Sequence, residues 1–81
     1  MPEIDGKTWM ISPHAELRML ERGVSDNQVR QTILEPESTG YDVKGNDIYR
    51  RTFSTRQGRI LVRVIADQES QHIITVTVDE V

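Results

Sequence analysis

The spacing of apolar residues along the chain changes near residue 40. Between residues 13 and 34, apolar residues recur every three or four positions, which is typical of amphipathic helices. From residue 41 onwards they alternate with polar residues, which is typical of strands that have one buried face. Helices followed by strands with short connections predict an α+β fold in which two N-terminal helices pack on an antiparallel sheet.

The first predicted helix runs from Pro13 to about Arg22. Ser12 is suited to cap its start, and proline is tolerated at the first helical position because its missing N–H would be unpaired anyway. Gly23 follows where helices often close in a left-handed conformation. The expected apolar side of this helix comprises Ala15, Leu17, Met19 and Leu20.

The second predicted helix begins after Ser25. Ser25 and Gln28 have the spacing of a capping box, and Val24 and Val29 have the spacing of a hydrophobic staple. The helix is expected to end at Glu35, because a residue that precedes proline avoids the helical region.

Strands are predicted at residues 41–43, 48–53, 59–66 and 72–78. A short apolar run at 8–11 is a candidate first strand, and whether it joins the sheet stays open. The predicted order is therefore β-α-α-β-β-β-β within one domain that covers residues 1–81. The expected shared core consists of Met19, Leu20, Val29, Ile33, Ile74 and Val76.

Composition narrows the class of protein. The chain has no cysteine, which excludes disulfides and thiolate chemistry and fits a reducing compartment. No apolar run approaches the roughly 18 residues that span a bilayer, and the acidic N-terminus is unlike a signal peptide. We therefore expect a cytoplasmic protein that is not bound to a membrane.

The charges are distributed unevenly. Residues 44–63 carry a net charge of +5, whereas the rest of the chain carries −8 and the whole chain −3. The overall acidity argues against nucleic-acid binding, but a basic segment on an acidic body is compatible with an anion site. Alternatively, the strand arginines only form the solvated face of the sheet.

The strongest candidate for chemistry is a stripe on the first helix, formed by His14, Arg18 and Arg22. Their spacing of four residues keeps them on one helical face. Guanidinium groups bind phosphate oxygens, and an imidazole transfers protons near neutral pH. Alternatively, the arginines pair with surface acids and the histidine is a local cap.

We expect this helix stripe to face a groove rimmed by at least one arginine of the predicted sheet. The candidate substrate-binding residues are Arg50, Arg51, Arg59 and Tyr49, although strand tyrosines more often pack in a core.

Two distant histidines without cysteines are a poor metal signature, and no glycine-rich nucleotide motif occurs. Neither a metal nor a cofactor is therefore expected.

The segment from His14 to Val24 reads His-Ala-Glu-Leu-Arg-Met-Leu-Glu-Arg-Gly-Val. It resembles the signature His-Ala-x-x-Arg-Met-x-x-Arg-Gly-Ile/Val of a bacterial family of domains of unknown function, whose late strands resemble residues 59–64 and 73–76. That family is similar to the RelE/ParE-like toxin fold, which includes metal-independent ribonucleases. The resemblance implies that the catalytic positions are His14, Arg18 and Arg22, together with Arg63.

Two functions follow as hypotheses. The first is a metal-independent endoribonuclease of toxin–antitoxin type, whose partners are RNA and a cognate antitoxin. The second is a non-catalytic module, or an inactive relative of the toxin fold, that binds a protein through the open sheet edge or the helix pair. A binding module has no need of the histidine in the helix stripe, whereas the enzyme does.

Overall fold

Two helices lie on one face of a five-stranded sheet in the computed structural model, which describes residues 3–4 and 6–80. The helices are α1 (Pro13–Arg22) and α2 (Asp26–Leu34). The strands are β1 (Glu3–Ile4), β2 (Lys7–Thr8), β3 (Met10–Ile11), β4 (Ser38–Tyr41), β5 (Asp47–Thr55), β6 (Gly58–Asp67) and β7 (His72–Glu80). The α+β prediction and the order of its elements are confirmed.

The sheet has the strand order β3-β7-β6-β5-β4. Strands β4 to β7 pair antiparallel as expected, and β3 adds a short parallel edge beside β7. The segment at 8–11 therefore joins the sheet only through Met10 and Ile11. Lys7 and Thr8 pair instead with β1 in a separate hairpin, and Trp9 between the two strands is buried in the core.

The helix ends follow the local signals of the sequence. The Ser12 side chain accepts a hydrogen bond from the backbone N–H of Ala15 at 3.0 Å and donates one to the Ile74 carbonyl at 2.6 Å. Ser12 thus caps α1 and also ties its start to β7. Gly23 adopts the expected left-handed conformation, with φ of 69°. At the start of α2 the capping box of Ser25 and Gln28 is complete.

The core lies between the helices and the central strands. Its buried apolar residues are Ile4, Trp9, Ala15, Met19, Val24, Val29, Val62, Val64, Ala66, Ile73 and Val76. The prediction that Leu17 and Leu20 belong to the apolar side of α1 is wrong, since they are 57% and 81% exposed. Ala15 and Met19 are the buried residues of α1, so a narrow face meets β7, and the two leucines lie outside it.

Strand β7 contains an irregularity that changes which isoleucine enters the core. Ile65 pairs with Thr75, but the next residue, Ala66, pairs with Ile73, so Ile74 is skipped in the register. Ile73 is fully buried, whereas Ile74 is only half-buried. The expectation that Ile74 shares the core with Val76 is therefore wrong, because a bulge breaks the alternation on which it relied.

The boundaries of the sheet differ most at its outer strand. Strand β4 covers Ser38–Tyr41 instead of residues 41–43, and a turn occupies the region after it. In that turn the Asp42 carboxylate accepts hydrogen bonds from the backbone N–H groups of Lys44 and Asn46 and from the Asn46 side chain. Ile33 of α2, which was also expected in the core, is partly buried and packs against the core cluster.

Two carboxylates link fold stability to pH. The Thr52 backbone N–H is the main cause that lowers the pKa of Glu37 below its usual 4.5, and the Asn46 side chain is the main cause that lowers the pKa of Asp42 below 3.8. A lowered folded-state pKa adds stability above the unfolded pKa, and this contribution is lost as pH falls through the folded value.

Glu37→Gln is therefore expected to weaken the loss of thermal stability between about pH 5 and pH 3. In the folded protein the Glu37 carboxylate accepts a hydrogen bond from the Thr52 N–H, and protonation in acid weakens this bond. The substitution removes the group that is protonated. Melting temperatures measured by circular dichroism across this range would check it. Glu37→Gln combined with Asp42→Asn is expected to give a flatter profile than either change alone. Profiles as steep as that of the wild type would contradict the assignment.

Candidate functional site

The helix stripe is on the outer layer of the molecule. His14, Arg18 and Arg22 are all exposed and lie on the face of α1 that the sequence predicted. Within the described residues none of the three has a side-chain hydrogen bond or an ion pair. Their imidazole and guanidinium groups are therefore available to a ligand.

A second basic surface lies on the opposite side of the molecule. Residues 62 and 64 of β6 point towards the helices, so Arg63 between them faces away. Arg50 on β5 is the direct cross-strand partner of Arg63, and Arg59 follows on the same face of β6. No helix of the described chain covers this face, which is called the open face below.

The cross-strand pair of arginines is unfavourable by itself. Side chains directly opposite each other in antiparallel strands have Cβ atoms about 4.5–5.5 Å apart, and like charges in such pairs are destabilising. Asp79 offsets part of this charge, because its Oδ2 atom is 3.6 Å from the Arg63 Nη2 atom. Both side chains of this ion pair are partly exposed, so it contributes little stability.

Two polar atoms beside this pair are buried without a hydrogen bond in the described structure. They are Arg63 Nε and the hydroxyl oxygen of Thr77, which is the partner of Arg63 on β7. On the other side, the Arg50 guanidinium extends over Gly40 of β4, where an added Cβ would lie 3.6 Å from its Nη1 atom. The positive charges of the open face therefore lie beside two unpaired polar atoms that are shielded from solvent.

Two of the predicted substrate-binding residues, Arg51 and Tyr49, face the helices. Arg51 Nη1 donates a 2.6 Å hydrogen bond to the carbonyl of Glu35, and its guanidinium carbon lies 5.7 Å from the centre of the Phe53 ring. Tyr49 packs against the core, and burial is the main cause that raises its pKa above 10.0, with the Asp47 carboxylate adding to it. Both side chains thus support the end of α2 and the core.

The structure does not form the single groove that the sequence suggested. The helix stripe lies on the helix side of the sheet, whereas Arg50, Arg59 and Arg63 lie on the open face. Arg51 is the one candidate sheet arginine on the helix side, and it is bound to the Glu35 carbonyl. The expected groove is therefore wrong for Arg50, Arg59 and Arg63, because alternation in β5 and β6 turns their side chains away from α1.

Sequence reasoning missed two residues of the open face, Thr77 and Asp79. The alternation of β7 places them on the face opposite Val76, but only the pairing of β6 with β7 brings them next to Arg63.

Within residues 3–4 and 6–80 no group of three histidine or acidic side chains is placed to hold a metal ion. The same part of the chain contains no helix long and apolar enough to cross a membrane.

Comparison with known proteins gives one match. A family described as "Domain of unknown function (DUF4258)" matches residues 11–78, a segment that contains Ile11 of β3, both helices, strands β4 to β6 and most of β7. No curated protein and no solved structure gave a match.

Proposed function

Since this chain belongs to the DUF4258 family, whose function is unknown, we propose from its geometry that it binds RNA on the open face and cleaves RNA without a metal. The observation that carries the binding step is the direct pairing of Arg50 with Arg63 on an uncovered face. An anionic phosphate between two guanidiniums removes their mutual repulsion and satisfies their donors.

A repeating polyanion fits the open face better than a single small anion. Arg59 lies on the same strand and face as Arg63, four residues away, which corresponds to about 13 Å along β6. Cations separated by this distance contact different phosphates of one strand. The Thr52 hydroxyl of the same face adds an uncharged partner for ribose or phosphate oxygens.

Cleavage is assigned to the helix stripe, because it holds the one histidine beside two arginines. The ribose 2′-oxygen attacks the adjacent phosphorus, and the bond from phosphorus to the 5′-oxygen breaks. His14 accepts the proton of the 2′-hydroxyl, and a water molecule donates a proton to the departing 5′-oxygen, which leaves a 2′,3′-cyclic phosphate on the other fragment. Arg18 and Arg22 stabilise the negative charge that grows on the phosphoryl oxygens.

The two basic surfaces therefore contact different parts of one RNA. The sheet separates them, so the phosphate held by Arg50 and Arg63 is not the one next to His14. The open face anchors the strand, and the helix stripe acts on a segment that passes around the edge of the sheet. This division predicts that anchoring and cleavage are lost through different substitutions.

We also infer that this chain is a relative of the RelE/ParE-like toxins, that it is bacterial and that it is located in the cytoplasm. Two helices followed by an antiparallel run of strands support the relationship. The absence of cysteines supports a reducing compartment. A cognate antitoxin would be the protein partner in such a system.

A second candidate function is a non-catalytic interaction module. It is favoured by Leu17 and Leu20, which expose large apolar side chains on α1. Exposed apolar residues that cluster on one surface commonly mark contacts with another protein. In this case the helix stripe would be a contact surface for a carboxylate-rich partner.

Arg50→Gln and Arg63→Gln are expected to weaken binding to single-stranded RNA and to reduce its salt dependence. Each change removes one phosphate contact, which lowers the slope of log affinity against log salt by about 0.7. Fluorescence anisotropy with a labelled RNA at several salt concentrations measures both effects.

Arg30→Gln is the control, since Arg30 is an exposed arginine of α2 on the other side of the sheet. It should leave affinity and slope unchanged. If all three substitutions weaken binding equally, the RNA contacts basic residues without preference, and the open face is not the site.

A further inference from the structure

One edge of the sheet is only partly paired. Strand β3 pairs with β7 only through Met10 with His72 and Ile11 with Ile73. Beyond this point the chain turns into α1, and Ser12 makes the last contacts, with the carbonyls of Ile73 and Ile74. Among the described residues, no strand pairs with the outer side of β7 over residues 75–80.

A groove of about 420 Å³ begins where β3 ends. Its lining includes the apolar residues Ile11, Met19 and Leu20 and the acidic residues Glu16 and Asp26. Ile11 belongs to β3 and points to the helix side beside Ile73, so the groove lies along the β3 side of α1. The groove thus meets the sheet at Ile11, beside Ile73 and two residues before the free stretch of β7.

The free edge and the groove are complementary features of one site. A strand placed beside residues 75–80 would satisfy the unpaired backbone groups of β7. Its alternate side chains would point to the helix side, where Met19 and Leu20 provide apolar contacts. Leu20, 81% exposed in the free chain, would become covered.

The charges that line the groove indicate which kind of partner would bind there. Its two charged lining residues, Glu16 and Asp26, are both acidic and exposed. A second copy of this chain that paired through β7 would bring Glu16 and Asp26 towards the same residues of its partner. Like charges oppose that arrangement, whereas lysine or arginine side chains are attracted to it.

We propose that the free edge of β7 and the groove along α1 form a docking site for an extended segment of another protein. The segment adds as a strand beside residues 75–80. It inserts alternate apolar side chains between α1 and the sheet edge, and its lysines or arginines contact Glu16 and Asp26. This site does not depend on the proposed action on RNA, which uses other surfaces.

The test uses random ten-residue peptides displayed on phage and selected against the whole chain. Enriched peptides are expected to be basic and to alternate apolar with polar residues. Leu20→Lys should weaken their binding about tenfold or more, because it removes one buried leucine contact and adds a repelling charge. Leu34→Lys on α2 is the matched control, since Leu34 is also an exposed leucine, and it should have no effect.

Amide hydrogen exchange with a synthetic copy of the best peptide gives the location. Protection is expected at β7 residues 75–80, with no change at β4, the opposite edge of the sheet. The proposal is overturned if no peptide is enriched, if Leu20→Lys binds as well as the wild type, or if protection falls on β4. A dimer that forms through β7 in the absence of peptide would also overturn it, in favour of self-association.

Discussion

Ile73→Ala is expected to lower the free energy of unfolding by about 2–5 kcal/mol, the range for truncating a fully buried isoleucine. Ile73 has no exposed surface and packs in the core that the helices share with β6 and β7. The substitution removes apolar contacts and leaves a cavity that a close-packed core cannot fill completely. Because domains of this size are marginally stable, much of the population could unfold.

Ile74→Ala is the matched control for this substitution. It removes the same atoms from the adjacent residue, which the bulge in β7 leaves half-buried. Its expected effect is about 1 kcal/mol or less. Urea unfolding followed by circular dichroism measures both variants. Equal losses, or a larger loss for Ile74→Ala, would mean that the bulge and the register of β7 are misplaced.

His14→Ala is expected to lower the rate of RNA cleavage by about 10²–10⁴, the usual contribution of a general acid–base group. Arg18→Ala should cause a comparable loss, because it removes the charge that stabilises the transition state. Both side chains are exposed, so the melting temperature should change little. Cleavage of a labelled RNA, with and without EDTA, measures the rate and its independence from metal ions.

His72→Ala is the control for the histidine. His72 begins β7 beside Met10 and is not part of the helix stripe. This variant should cleave RNA at the wild-type rate. Arg50→Gln should weaken binding while the rate at saturating RNA stays near that of the wild type, because anchoring and cleavage are on different surfaces. Wild-type protein that leaves a range of RNAs intact, free of any antitoxin, would refute the enzymatic role and leave the interaction module.

The local features of this protein could be predicted from its amino-acid sequence. Ser12 and Pro13 predicted the start of α1, Gly23 its end, and the pair of Ser25 and Gln28 the start of α2. These signals are readable because each capping interaction joins residues within a few positions of each other. The shift to alternating residues likewise predicted the run of strands and the α+β class.

The helix stripe could also be predicted from the sequence, because it is a geometric feature of one helix. Residues four positions apart in a helix lie on one face, so the proximity of His14 to Arg18 and of Arg18 to Arg22 required no tertiary information. Whether these side chains meet the sheet arginines depends on strand register, which the spacing within a helix does not determine.

Contacts between distant segments set which side of the sheet each residue faces, and these contacts could not be predicted from local patterns. The bulge in β7 places Ile73 in the core, and the pairing of β5 with β6 places Arg50 and Arg63 together on the open face. The position of α1 over β7 leaves Leu20 exposed. Strand side chains alternate with a period of two, so a displacement of one residue reverses the face of every position that follows. Contacts between segments that are distant in the sequence determine that displacement.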